Sequence, residues 1–196
     1  SILSFLAKLH TQRIIKSIYH AFLPNKSQCI YDNSTWLPNI PFPQDNISKS
    51  VENQNGNNNS ILFVGKMSYK PNFVGIDYFI KNIWPLVLEK IPSAHFNIVG
   101  IGTPIEKINE WNKFSNIIIK GFVKNIEDEY SKTDAVICPI YHGAGTNIKI
   151  LEAMLYNKPC VISEFSSMGF DDILKHEENV LIAFNDYDFA ENIIKI

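Results

Sequence analysis

From residue 61 onward the chain switches repeatedly between short apolar runs and segments of helical spacing, and that alternation restricts what it can fold into. Ile61–Val64, His95–Val99, Ile117–Ile119, Ala135–Cys138, Cys160–Ser163 and Val180–Ala183 read as strands. Helices are predicted between them over 72–90, 104–111, 126–132 and 147–156, with a weak helical turn near 171–175 and a last helix over 187–195. Pro71 and Pro92 bracket the first helix, and Pro85 inside it predicts a kink or a split. Six strands alternating with helices predict an α/β architecture, a parallel sheet covered on both faces. Sheets of this kind bind ligands beyond the carboxyl ends of their strands. The segments of interest are therefore 65–71, 100–104, 121–125, 139–146 and 164–170.

The first 60 residues read differently. Ile2, Leu6, Leu9, Ile14, Ile15, Ile18 and Phe22 recur at mostly helical spacing, which predicts a packing helix over 2–23, with a basic helix lying on a membrane as the minor alternative. Pro24, Pro38, Pro41 and Pro43 make 24–43 irregular, and the polar run ending at Asn53–Ser60 reads as a linker or surface loop. A net charge of -2 offers no electrostatic footprint for nucleic acid. Cys29, Cys138 and Cys160 are spaced unlike metal ligands, and the last two fall in strands, as free thiols of a reducing compartment do. No apolar run approaches the roughly 18 residues of a membrane span. The chain opens at Ser1 and stops at Ile196 within a helical pattern, so a longer parent protein is expected.

Two loops carry the candidate chemistry. Gly143-Ala144-Gly145 lies between the strand ending near Ile140 and a helix opening at Asn147. Small residues let a phosphate approach a helix start, where unbonded N–H groups and a positive dipole end meet it. Lys149 adds a charge in the first turn, and Glu152 places a carboxylate three residues on. A nucleotide uses both kinds of group, donors for phosphate and an acceptor for ribose hydroxyls. The bland alternative for Glu152 is an exposed residue paired with Lys149, worth about 0.2–0.5 kcal/mol. Lys66 and Lys70 flank the loop after the first strand and would neutralise a departing diphosphate, or simply be solvated. Gly100-Ile101-Gly102 starts like a dinucleotide fingerprint, but Ile105 replaces its third glycine, so a tight turn is expected. His142 offers a catalytic base as the minor alternative, but with no acid nearby in sequence it reads as a packing or hydrogen-bonding group.

Taken in order, Phe63-Val64-Gly65-Lys66-Met67-Ser68-Tyr69-Lys70-Pro71-Asn72, Phe96–Gly102, Gly121-Phe122-Val123, Gly145–Met154 and Lys158–Ile162 resemble the carboxy-terminal half of GT-B glycosyltransferases of family 4, the retaining group 1 enzymes. The resemblance covers residues 36–196, with Trp36-Leu37-Pro38-Asn39 similar to the segment where such chains enter their second domain. It implies a Rossmann-like six-stranded parallel sheet at 61–196 that binds a nucleotide sugar, a linker at 39–60, and the end of an acceptor domain with its helix at 1–38. Carried over, the resemblance puts donor phosphate and sugar on Gly65, Lys66, Lys70, Gly145, Thr146, Asn147, Ile148 and Lys149. Ribose falls on Glu152, and the base on the backbone near Phe122 and Val123. No resident cofactor or metal is implied; the donor is a UDP- or GDP-sugar substrate, and the acceptor a glycan or lipid-linked glycan. Catalytic residues are assigned to no position in this chain, which is expected to be inactive alone. The implied location is the cytoplasm, with peripheral association to the inner face of a membrane as a variant. Ala144 departs from the family pattern, which has an acid eight residues before the glutamate at 152. A non-catalytic sugar-nucleotide-binding or interaction domain, and an epimerase of the same fold, are the alternatives.

Overall fold

A computed structural model of the chain describes residues 21–23, 34–36, 59–143, 146–170 and 173–196. The chain divides into two compact units, Ser1–Ile40 and Pro41–Ile196. In the first, β1 (Ala21–Leu23) and β2 (Ser34–Trp36) pair in parallel, Phe22 opposite Thr35. Two expectations are corrected here: the helix predicted to reach residue 23 gives way to a strand, and the segment 24–43 contains one. Three-residue runs that end at Pro24 or join Thr35 to Trp36 suit extended backbone, but they are too short for periodicity to register. The rest of the predicted helix and most of the linker lie outside the described residues.

The second unit is built on β3 (Ser60–Val64), β4 (His95–Val99), β5 (Ile117–Gly121), β6 (Ala135–Cys138), β7 (Cys160–Ser163) and β8 (Leu181–Ala183). All pairings are parallel, in the order β5-β4-β3-β6-β7-β8. The order runs leftward from β3 to β5, then restarts rightward at β6. The boundary between β3 and β6 is therefore the topological switch point, where loops leave in opposite directions and a crevice opens. The strands of this central pair, with β4 and β7, are buried nearly throughout, and Leu62, Phe63, Phe96, Ile98, Val136, Ile137, Val161 and Ile162 form the middle of the core.

Among the described residues, helical segments fill all five connections between the strands of this sheet, and one more helix follows the last strand. The first helix runs Lys70–Tyr78 (α1), widens into a π-helical stretch at Phe79–Ile83, and resumes as α2 (Trp84–Lys90). Pro85 causes the split, because it offers no N–H and its ring crowds the carbonyl four residues earlier; the wider turn relieves both. Pro71 sits inside the first turn of α1 rather than before it, a position where its missing N–H costs nothing. α3 (Ile105–Trp111), α4 (Glu127–Ser131), α5 (Ile148–Leu155) and α6 (Glu164–Ser167) follow β4, β5, β6 and β7. A last helix, α7 (Asp186–Ile194), packs against α2 and the π turn. α6 was not expected from the sequence. The turn near 171–175 is represented by Ile173 and Leu174 N–H groups donating to the Phe170 carbonyl, at 2.7 and 2.9 Å.

Buried polar groups fix the register at the amino ends of the strands. Ser60 N–H donates to Asp134 Oδ2 at 2.8 Å, Thr133 Oγ1 donates to the Ser60 carbonyl at 2.8 Å, and Asn97 Nδ2 donates to Ser60 Oγ at 2.9 Å. Each satisfies a group that would otherwise cost about 1–3 kcal/mol to bury.

Candidate functional site

The loop after β3 is held by the loop after β4. Gly65 N–H donates to the Val99 carbonyl at 2.9 Å, and Met67 N–H to the Ile101 carbonyl at 2.8 Å. Gly100 has φ of 140°, and a Cβ there would lie 1.9 Å from the Gly65 carbonyl oxygen. Gly102, with φ of 93°, would bring a Cβ to 2.8 Å of Ser68 N. The sequence predicts a tight turn for this glycine pair; the structure adds that both glycines permit close approach of two loops. Asn72, buried at the start of α1, donates from Nδ2 to the Lys66 carbonyl at 2.9 Å and pins the turn between them. The Lys66 and Lys70 side chains are exposed and form no ion pair among the described residues.

On the other side of the switch point, Pro139 and Ile140 are buried, and Tyr141, His142 and Gly143 emerge into solvent. Gly143 has φ of 132°, and a Cβ on it would meet Pro71 Cγ at 3.0 Å and Tyr69 Oη at 3.4 Å. The loop after β6 therefore leans on the start of α1, next to Lys70. Ala144 and Gly145 lie outside the described residues. Two buried serines grip the loop from below. Ser166 Oγ donates to the Cys138 carbonyl at 2.7 Å and accepts from Ile140 N–H at 3.3 Å, while Ser163 Oγ donates to the Ile140 carbonyl. Asn147, at the N-cap position of α5, does not cap it with its side chain; Nδ2 donates instead to the Ser166 carbonyl at 3.3 Å. No side chain thus occupies the α5 amino end from its own cap position, and Ile148 and Lys149 begin the helix there.

Glu152 does not pair with Lys149, contrary to the bland expectation. Lys149 Nζ sits 5.7 Å from the centroid of the Phe63 ring, on β3, a cation–π contact. Glu152 Oε2 accepts from the Tyr130 hydroxyl at 3.4 Å, a long bond. Burial first, then the negative charge of Glu152, pushes the Tyr130 phenol far above its usual range, so it remains a donor. Tyr130 stacks on Tyr156 with centroids 4.2 Å apart and planes at 13°. A buried aromatic pair thus orients a carboxylate one turn into α5.

Phe122 and Val123 follow β5, two strands from β3. The Gly100 N–H donates to the Gly121 carbonyl at 2.8 Å, so the three loops after β3, β4 and β5 are linked in series. Phe122 is 76% exposed, whereas Val123 packs against the core. The expected site residues therefore fall into three places: Gly65, Lys66 and Lys70 on one flank of the switch point, Thr146–Lys149 with Glu152 on the other, and Phe122 with Val123 at the outer strand. The serine pair and Tyr130 were missed. The Ser163-x-x-Ser166 spacing of a capped short helix was the available signal: Ser163 Oγ accepts from Ser166 N–H at 3.2 Å. No group of three His, Cys, Asp or Glu side chains suited to a metal occurs among the described residues.

This sheet order, with its loops gathered at one switch point, is the Rossmann-like α/β fold of the carboxy-terminal half of a GT-B glycosyltransferase. Residues 58–196 match the family described as Glycosyl transferases group 1, and the chain belongs to that family. A curated Klebsiella pneumoniae relative, an uncharacterised 44.6 kDa protein in the cps region, is 26% identical over 204 residues, covering 96% of this chain and 50% of the relative. Among solved structures, TarM of S. aureus is similar with a TM-score of 0.75 at 19% identity, over 95% of this chain and 38% of that one. Anabaena Alr3699/HepE, solved with UDP and glucose, is similar with a TM-score of 0.65 at 16% identity, over 90% of this chain and 53% of that one. The chain spans about half the length of the curated relative. No helix among the described residues is long and apolar enough to cross a membrane.

Proposed function

We propose that this chain is the donor-binding half of a retaining glycosyltransferase that moves a hexose from a nucleotide diphosphate to a glycan or lipid-linked acceptor. The observation that carries the reading is the convergence at the switch point: two exposed lysines on one flank, a helix start without a side-chain cap on the other, and a carboxylate held by Tyr130 a turn beyond. Lysines and helix N–H groups match a diphosphate leaving group, and no metal is needed to neutralise it. The Glu152 carboxylate suits two ribose hydroxyls, and the exposed Phe122 ring beside backbone amides suits a base. The similar TarM and Alr3699/HepE structures contain UDP, which makes UDP the first donor nucleotide to test, ahead of GDP. The cps-region relative fits a role in polysaccharide synthesis at the cytoplasmic face of a membrane.

In this reading the chain binds nucleotide but transfers no sugar unaided, since a GT-B site is completed by a second domain. Calorimetry with UDP, GDP and the parent nucleosides tests the binding half. Donor hydrolysis and transfer, assayed on the complete protein, test the enzymatic half. Failure of UDP and GDP alike to bind better than their nucleosides would remove the diphosphate site.

A further inference from the structure

A second cleft opens at the same sheet edge, beyond β7 and β8, and the reading above does not use it. Its volume is about 530 Å³, and Ser163 and Ala183, the last residues of those strands, form its floor. That size falls within the roughly 300–1,000 Å³ of small-molecule sites. Tyr141, Phe184 and Tyr187 supply ring faces, and Phe184 and Tyr187 are 60% and 73% exposed, unusually open for such side chains. Glu164, Asn185 and Asp186 stand among them. The Tyr141 ring is held by its neighbours. Tyr78 Oη donates to Asp186 Oδ2 at 2.8 Å, and Tyr78 meets Tyr141 edge-on with centroids 5.1 Å apart. Burial, with the Asp186 charge second, raises the Tyr141 phenol, so it stays a neutral donor.

Among the described residues, no cationic side chain lines this cleft. Two carboxylates without a counter-charge repel a diphosphate, which separates the cleft from the lysine-flanked switch point. A neutral ligand with an apolar face and a rim of hydroxyls fits this lining of rings, amide and carboxylates. A pyranose ring is such a molecule: its axial C–H face lies on an aromatic ring, and its hydroxyls donate to carboxylate and amide oxygens. We propose that this cleft is a glycan subsite, which holds a neutral sugar ring of the acceptor next to the donor site. The two sites share the loop after β6, since Tyr141 lines the cleft and Gly143 leans on α1. The assignment of the glycan as acceptor rests on the proposed glycosyltransferase reading; the binding of a neutral sugar does not.

The test is amide chemical-shift mapping of this chain with maltotriose, lactose and chitotriose as probes, and choline and UDP as comparison ligands. At least one oligosaccharide is expected to bind in the millimolar range and to shift Tyr141 and Phe184–Tyr187. The Phe184→Ala/Tyr187→Ala double variant should lose that binding at least tenfold, and Asp186→Asn about threefold, while both keep the UDP affinity and the amide dispersion of the parent. The proposal is overturned if no oligosaccharide shifts the cleft, if the double variant binds sugar as well as the parent, or if shifts gather at Lys66–Lys70 and Ile148–Glu152. Tighter binding of choline than of any sugar also overturns it, in favour of a cationic ligand. Sugar binding without UDP binding would sustain the cleft and defeat the donor-site reading; the reverse result would do the opposite.

Discussion

Lys66 and Lys70 have no described ionic partner, so removing either charge leaves folding nearly untouched and acts on the ligand. Lys66→Ala or Lys70→Ala should weaken UDP or GDP by about five- to tenfold, roughly 1–1.4 kcal/mol, and leave the nucleoside unchanged. Calorimetry on the paired ligands checks this; equal losses for diphosphate and nucleoside would place the lysines away from phosphate. Glu152 behaves differently because Tyr130 depends on it. Glu152→Gln preserves an acceptor for the phenol and should weaken nucleotide binding about tenfold, or about 1.4 kcal/mol. Glu152→Ala also strands a buried hydroxyl, and should lower unfolding stability by about 1 kcal/mol in urea titrations. Tyr130→Phe added to Glu152→Ala should recover part of that stability without recovering binding. If Glu152→Ala binds a 2′,3′-dideoxynucleotide and the ribose form with the parent's preference intact, the carboxylate does not serve the ribose.

At the scale of elements, one contact sets the distance between α1 and the end of β6. A Cβ at Gly75 would fall 2.0 Å from the Pro139 carbonyl oxygen, a backbone atom that cannot step aside alone. Gly75→Ala should therefore cost about 2–3 kcal/mol by overpacking, despite alanine's better helix propensity, and should displace the loop after β6. A urea titration reads the first effect and loss of nucleotide affinity the second. α1 and α3 are joined by charge. Asp77 accepts from Trp111 Nε1 and Lys107 Nζ, both at 2.9 Å, and from Lys81 Nζ at 3.0 Å, while Glu110 bridges the same two lysines at 2.7 Å. Burial raises the Asp77 carboxyl, but those three donors outweigh it and hold it below the ordinary aspartate value. Because the folded state binds this proton less readily, its contribution is present above about pH 4 and fades as pH falls through the depressed value. Asp77→Asn should cost about 1 kcal/mol near pH 7, with the gap to the parent closing below pH 4 in thermal melts. A gap that stays constant from pH 7 to pH 3 would show that packing, not charge, is what Asp77 supplies.

For the whole molecule, ligand binding and folding are one equilibrium. UDP at about a hundredfold excess over Kd should add about 2.7 kcal/mol and raise the melting temperature by about 5–10 °C, measurable by calorimetry. Much of this architecture was legible in sequence because apolar runs and helical periods alternate over 61–196, and that pattern is local. Pro85 announced a break in its helix for the same reason. What was not legible depends on partners far along the chain. Ser60 joins β3 although it reads as linker, because Asp134 receives its N–H from 74 residues away. Lys149 and Glu152 have the spacing of a helix ion pair, yet Phe63 and Tyr130 claim them. The two candidate loops were legible by position at strand ends; their mutual placement, with Gly143 against Pro71, required the fold.

The serine grip on the loop after β6 has a practical consequence. Cys138, Ile140 and Asn147 are all bonded to Ser163 or Ser166, so the shape of this loop is encoded in part some 20 residues downstream. Transplanting residues 139–147 from another member of the family would move the sequence of the loop without its foundation. A successful graft must carry residues 163–166 with it, and any comparison of this loop across the family should treat the two segments as one inherited unit.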